Sequence, residues 1–164
     1  MERRVAMSQQ CSMRVRGYTP RDLPALHALD QECFAPAIAF SRSELLSCLN
    51  HPNSVVRIAD LDCRIIGFAV GMVVVSGSAH VITLDVSREG RRQKVGTNLM
   101  RALHEEFRHG GAGASFLEVA VENTAARRFY EVLQYKYLEY LPGYYRNRND
   151  ALRMIRNLVD PFEG

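Results

Sequence analysis

The stretch HVITLDVSREGRRQKVGTNLMRALHEEF, His80 to Phe107, decides how the chain is read. Its first seven residues are β-branched and apolar, the composition of a strand. From Asn98 onward the residues are strong helix formers with apolar side chains at helical spacing. Between the two lies a short basic loop containing Arg91, Arg92, Lys94 and Gly96. A helix N-terminus offers unpaired backbone N–H groups and roughly half a positive charge, so strand, basic loop and helix together form a place to hold phosphate. The loop lacks both GxGxxG and GxxxxGK[ST], which leaves a dinucleotide fold and a nucleotide triphosphatase without support. Alone, it reads equally well as an exposed basic helix start.

Working outward, MRVRGYT alternates and predicts a first strand. Thr19-Pro20 opens a helix, with Leu26, Leu29 and Cys33 on one face. Ser41 and Glu44 have capping-box spacing at the start of a second helix. SVVRIADLDCRIIGFAVGMVVV predicts a hairpin turning near Asp60-Leu61-Asp62. After the His80–Phe107 unit, which stops near Gly110-Gly111, come the strand ASFLEVAV and the helix NTAARRFYEVLQ. YKYLEYLP and DALRMIRNL then close the chain as strands around GYYRNRN. The order β-α-α-β-β-β-α-β-α-β-β predicts an α/β (α+β) fold with a sheet flanked by helices on both faces.

The chain has 164 residues, 47% hydrophobic and 24% charged, which suits one globular domain with a real core. That domain is expected over 13–160, with a loose tail over 1–12. Met7 and Met13 are candidate alternative starts. A net charge of +3, spread as scattered arginines, does not mark a nucleic-acid-binding surface. The apolar run from Ile65 to Val75 is too short to cross a bilayer. Cys11, Cys33, Cys48 and Cys63 lack zinc or redox spacing and read as reduced, mostly buried small hydrophobes, and the histidines form no metal set. A cytoplasmic protein without metal, nucleic acid or membrane is the expectation.

With these motifs in place, the chain resembles the GCN5-related N-acetyltransferases, the GNAT superfamily. That family's pyrophosphate loop reads Arg/Gln-x-x-Gly-x-Gly/Ala between a strand and a helix. Arg91-Arg92-Gln93-Lys94-Val95-Gly96 matches it, with Lys94 in place of the first glycine. Downstream, EVAVENTAARRFYEVLQYKY is similar to the family's strand, Asn and Tyr-bearing helix, with Tyr135-Lys136 where Gly-Phe is usual. Within the superfamily, LEVAVENTAARRFYE and PGYYRNRNDALRM are similar to the RimI-type and N-α protein acetyltransferases.

The resemblance implies the GNAT fold, a mixed, mostly antiparallel central sheet, and transfer of an acetyl group from acetyl-CoA. It places the cofactor on Arg91, Arg92, Gln93, Lys94, Val95, Gly96 and Thr97, on the backbone of Leu84, Asp85 and Val86, and on Asn123 and Tyr130. It makes Glu118 the general base and Tyr130 the acid that protonates the leaving thiolate. It gives Tyr144, Tyr145 and Glu32 to the substrate. The implied substrate is a protein or peptide N-terminus, with a ribosomal protein among the candidates; the sequence leaves monomer and homodimer both open. A free α-amine, with a pKa near ~8 against ~10.4 for lysine, needs only a modest base.

Each residue also has a plainer reading. Glu118, opposite in facing to Leu117 and Val119, could be a surface carboxylate paired with an arginine. Tyr130 could be a core ring, and Tyr144 and Tyr145 could pack on opposite faces of a strand. Glu32 could be an exposed helix residue, and Asn123 is a helix cap in its own right. Acetylation of a small amine or lysine side chain, a non-catalytic acetyl-CoA-binding module, and a plain basic interaction domain are the competing functions.

Overall fold

The computed structural model describes residues 12–74 and 76–159, so the expected tail lies outside it except for Ser12. Seven strands form one sheet: β1 (Met13–Arg16), β2 (Ser54–Leu61), β3 (Arg64–Val74), β4 (Ser78–Val86), β5 (Ala114–Ala120), β6 (Lys136–Leu141) and β7 (Ala151–Asn157). Their order across the sheet is β1-β2-β3-β4-β5-β7-β6. Every pairing is antiparallel except β4 with β5, which is parallel. The four helices are α1 (Leu23–Cys33), α2 (Arg42–Asn50), α3 (Val95–His109) and α4 (Thr124–Val132). The element order is the one the sequence predicts.

The sheet divides two cores. On one face Leu99, Met100, Leu103 and Phe107 of α3 pack with Val81, Leu117 and Val119, and Phe129 and Tyr130 of α4 and Leu133 just after it pack against them. On the other, Leu23, Leu26 and Leu29 of α1 and Leu45 and Leu49 of α2 cover Ile58, Phe68 and Val70. Gly71 is fixed by α3, since a Cβ there would sit 2.2 Å from Phe107 Cζ. Ser41 closes both halves of its capping box, accepting from Glu44 N at 3.2 Å while Glu44 Oε2 accepts from Ser41 N at 2.8 Å.

Three local expectations are corrected. Pro20–Asp22 form a 3-10 turn, and α1 begins at Leu23, because Asp22 is held by Arg16 and by the Thr19 amide. The β2–β3 turn falls on Asp62-Cys63, both with positive φ, rather than on Asp60, which is buried against Arg16 and Arg14. Cys63 is therefore exposed, while Cys33 and Cys48 are half-buried, and all three are free.

Two features of β4 create the site. Val70 pairs with Thr83 and Gly71 with Val81, so Ile82 is an extra residue that reverses the facing of the rest of the strand. Val81 faces α3, whereas Thr83 and Asp85 turn toward α1. In addition, β4 and β5 stay paired only over Ser78–His80 and Ala114–Phe116. Beyond that they part, and the gap opens at the start of α3 and α4.

Candidate active site

A cleft of about 620 Å³ runs through this gap. His80 and Glu118 line it from the α1 side, while Ala126 and Tyr130 of α4 line it from the other.

Glu118 is held by two residues. Its Oε1 accepts from Arg153 Nε at 3.2 Å and Arg153 Nη2 at 3.0 Å, and its Oε2 lies 2.5 Å from His80 Nε2. Burial pushes the carboxyl up, but hydrogen bonds and charge from His80 and Arg153 outweigh it and leave it below the usual range. Both oxygens are occupied and the group stays ionised. Register explains the arrangement: Glu118 pairs with Arg153 on β7, and His80 stacks on Phe116, two residues along β5, at 4.5 Å. The side chain of Glu118 is 7% exposed and that of His80 24%, so the imidazole is the member open to the cleft. In the neutral tautomer that donates Nε2–H to Glu118, Nδ1 carries a lone pair. Sequence reasoning does not find His80 or Arg153, because nothing in the spacing of either marks the contact.

Tyr130 lies between Phe129 and Tyr135, edge-on to both, at 5.3 and 5.8 Å. Burial, reinforced by Tyr135, Asp85 and Tyr145, pushes its phenol well above the usual range, so it remains a proton donor at neutral pH. Asn123 caps α4, its Oδ1 accepting from Ala126 N at 3.2 Å, and stands at the cleft edge.

At the phosphate loop, Lys94 is the N-cap of α3 with φ 58° and ψ 22°, and Arg92 also has positive φ. Lys94 thus adopts the left-handed backbone for which glycine is the easy choice, at a cost of about 1–2 kcal/mol. No side chain caps α3, so the N–H groups of Val95, Gly96 and Thr97 have no intrahelical acceptor. Arg91, Arg92, Gln93 and Lys94 are exposed around them. Val95 is buried and anchors the helix start. The donors and charges fit a pyrophosphate. A Cβ at Gly96 would meet Phe129 Cζ at 3.2 Å, so the glycine also lets α3 and α4 approach. Thr97 lines a second groove of about 260 Å³ between α3 and the end of α4. Leu84 lines the main cleft, Val86 O accepts from Cys33 Sγ at 3.4 Å, and Asp85 is buried.

Tyr144 and Tyr145 lie in the β6–β7 loop, not in a strand, and both reach the cleft. Their rings meet edge to face at 5.1 Å. Asp150 shapes the loop by accepting from Gly143 N at 2.7 Å and from the Tyr140 hydroxyl. An Arg146–Glu44 ion pair ties it to α2. Facing it, Phe34, Ala37, Ile38 and Phe40 form the opposite wall. Glu32 is exposed and does not line the cleft; Asp30, on the same helix, does.

The family model described as Acetyltransferase (GNAT) family matches residues 23–135. An uncharacterized N-acetyltransferase of Methanocaldococcus jannaschii is 32% identical over 146 residues, covering 88% of this chain and 91% of that protein. An N-alpha-acetyltransferase of Saccharolobus solfataricus is 36% identical over 80 residues, 48% of each chain. Among solved structures, the ribosomal-protein-S18-alanine N-acetyltransferase of Escherichia coli superposes with TM-score 0.81 at 24% identity, covering 93% of this chain and 98% of that one. Arabidopsis thaliana NAA60, solved with acetyl-CoA, gives TM-score 0.80 at 17% identity, covering 89% and 98%.

Proposed function

The chain belongs to the GNAT acetyltransferase family, whose members are N-acetyltransferases that use acetyl-CoA, and on that premise we propose that it acetylates the N-terminal α-amine of a protein or peptide. One observation carries the reading: the Tyr144–Tyr145 loop and the Phe34–Phe40 wall line the same cleft as His80 and Glu118. A chain end entering between these walls brings its terminal amine to the His80–Glu118 pair.

Acetyl-CoA supplies an activated acyl group as a thioester. The α3 start, with Arg91, Arg92, Gln93 and Lys94, holds the pyrophosphate. The backbone of Leu84, Asp85 and Val86 at the open edge of β4, together with Asn123, lines the arm that leads to the reacting carbon. His80, held by Glu118, takes the proton of the attacking amine, directly or through a water. Glu118 is then the charged member of a basic pair rather than a base acting alone. Tyr130 gives its proton to the sulfur as the carbon–sulfur bond breaks. The wall of Phe34, Ala37, Ile38 and Phe40 is apolar and favours uncharged first residues.

The test is acetyl-CoA turnover, read as free thiol, on peptides with free N-termini and on N-terminally blocked twins containing lysine. Reaction of the free N-termini alone supports the proposal. Reaction of the blocked peptides alone assigns the cleft to lysine side chains and overturns it.

A further inference from the structure

Two buried carboxyls that the transfer chemistry does not use meet beneath the cleft. Asp30 on α1 and Asp85 on β4 are each 0% exposed. One oxygen of each is satisfied from its own side. Asp30 Oδ2 accepts from Phe40 N at 2.7 Å and Gln31 Nε2 at 3.4 Å, and Asp85 Oδ1 accepts from Thr83 Oγ1 at 2.6 Å. The other oxygens, Asp30 Oδ1 and Asp85 Oδ2, are buried with no N–H or O–H donor among the described residues. These orphan oxygens belong to carboxyls that act directly on each other, burial and the charge of Asp30 together pushing Asp85 up. Two carboxylate oxygens can share a hydrogen bond only if one carries a proton, and two like charges in contact away from water do not both ionise.

No arginine or lysine among the described residues balances the pair. From α1, His27 favours the charge on Asp30. Also on α1, burial followed by the charge of Asp85 pushes the Cys33 thiol up to about 11, with Arg91 and Glu32 acting on it in opposite senses. From α4, Tyr130 faces Asp85. Burial raises both carboxyls, Asp85 the further.

The position of the pair gives it a use. Through Phe40 N, Asp30 holds the segment that supplies one wall of the cleft. Asp85 lies between Leu84 and Val86, where β4 has left β5. We propose that Asp30 and Asp85 share one proton and act as a positioning pair that clamps the Phe34–Phe40 wall to β4 beside the transfer site. The role in substrate binding rests on the proposed function; the clamp itself does not. Loss of the shared proton sets two charges against each other and frees the wall. Peptide KM then rises while acetyl-CoA, bound at the start of α3, is held as before.

The test compares the wild type with Asp85→Asn and Asp85→Leu from pH 6 to 9. Hydrogen exchange of the Phe40 amide is measured without ligands, and KM for peptide and for acetyl-CoA in turnover. An asparagine amide donates permanently to Asp30, whereas leucine removes the link. In the wild type, Phe40 protection falls and peptide KM climbs about tenfold with rising pH, the loss of one charge-assisted hydrogen bond. Asp85→Asn abolishes that pH dependence. Asp85→Leu has low protection and high peptide KM throughout. A Phe40 amide whose protection takes the same pH course in wild type and Asp85→Asn overturns the shared proton, and this comparison stands even if Asp85→Leu does not fold. Unchanged protection in a folded Asp85→Leu overturns the clamp. If no peptide is acetylated, the functional reading fails while the exchange data still decide the clamp.

Discussion

Replacing Tyr130 with phenylalanine separates catalysis from packing, because the ring packs while the hydroxyl is the proposed acid. The ring is held edge-on between Phe129 and Tyr135 at 5.3 and 5.8 Å, and phenylalanine keeps those contacts. The hydroxyl makes no hydrogen bond among the described residues, so its removal breaks none. Stability is therefore expected to stay within about 0.5 kcal/mol of the wild type. Catalysis loses the proton for the leaving sulfur. General acids contribute about 10²–10⁴ in rate, but a thiol of ordinary pKa near ~8.5 is already a good leaving group. The expected fall in kcat is about ten- to hundredfold, or about 1.4–2.7 kcal/mol of barrier. KM for both substrates should hold within about threefold, because no ground-state contact is removed. The assay is thiol release at saturating acetyl-CoA, with thermal unfolding on the same samples. A kcat within about threefold of wild type would refute the assignment, and an unchanged kcat with a raised acetyl-CoA KM would make Tyr130 a binding residue.

The same geometry sets other expectations. Glu118→Gln and His80→Ala should each lower kcat about tenfold or more, and the double variant should fall little further, since the two act as one pair; additive losses in a kinetic cycle would show two independent roles. Lys94→Gly should relieve the left-handed backbone and raise stability by up to about 1 kcal/mol in thermal unfolding, while the lost charge weakens acetyl-CoA severalfold by calorimetry. Stability against pH carries two opposing contributions. The raised carboxyl pair keeps a proton that the unfolded chain has lost above about pH 4, so its contribution falls by about 1.4 kcal/mol per pH unit from there through its folded pKa. Burial, together with Arg156 and Arg108, pushes His104 down to about 3, so the contribution of this neutral imidazole is lost as pH falls below about 6.5. Urea unfolding of Asp85→Asn should keep the rise from His104 and lack the fall; a constant difference from wild type across about pH 4 to 7 would contradict the shared proton.

Much of this architecture is written locally. The alternation around Glu118 places it away from Leu117 and Val119, which are buried against α3 as that alternation implies. Ser41 and Glu44 announce a helix start through spacing alone, and both of their hydrogen bonds form. The strand, basic loop and helix of His80–Phe107 appear as β4 and α3. The features that local pattern does not carry depend on elements that meet only in three dimensions. His80 reaches Glu118 across 38 residues of chain, through a parallel pairing that lasts three residues. Asp85 finds Asp30 because Ile82 is an extra residue that turns the rest of β4 over, and no periodicity marks that insertion. Glu32 suits the wall by its place in the chain, but about half a turn of α1 decides which acid faces inward, and that acid is Asp30. The twin tyrosines are legible as a pair; that a loop rather than a strand lets both reach one cleft is not.

The most direct test uses a single peptide with a free N-terminus, an uncharged first residue and one internal lysine. It is incubated with the enzyme and acetyl-CoA, and the acetyl group is located by tandem mass spectrometry. The mark is expected on the α-nitrogen, with the lysine unmodified at complete conversion. Acetyl on the lysine ε-nitrogen beside a free N-terminus would contradict N-terminal acetylation as the activity of this cleft.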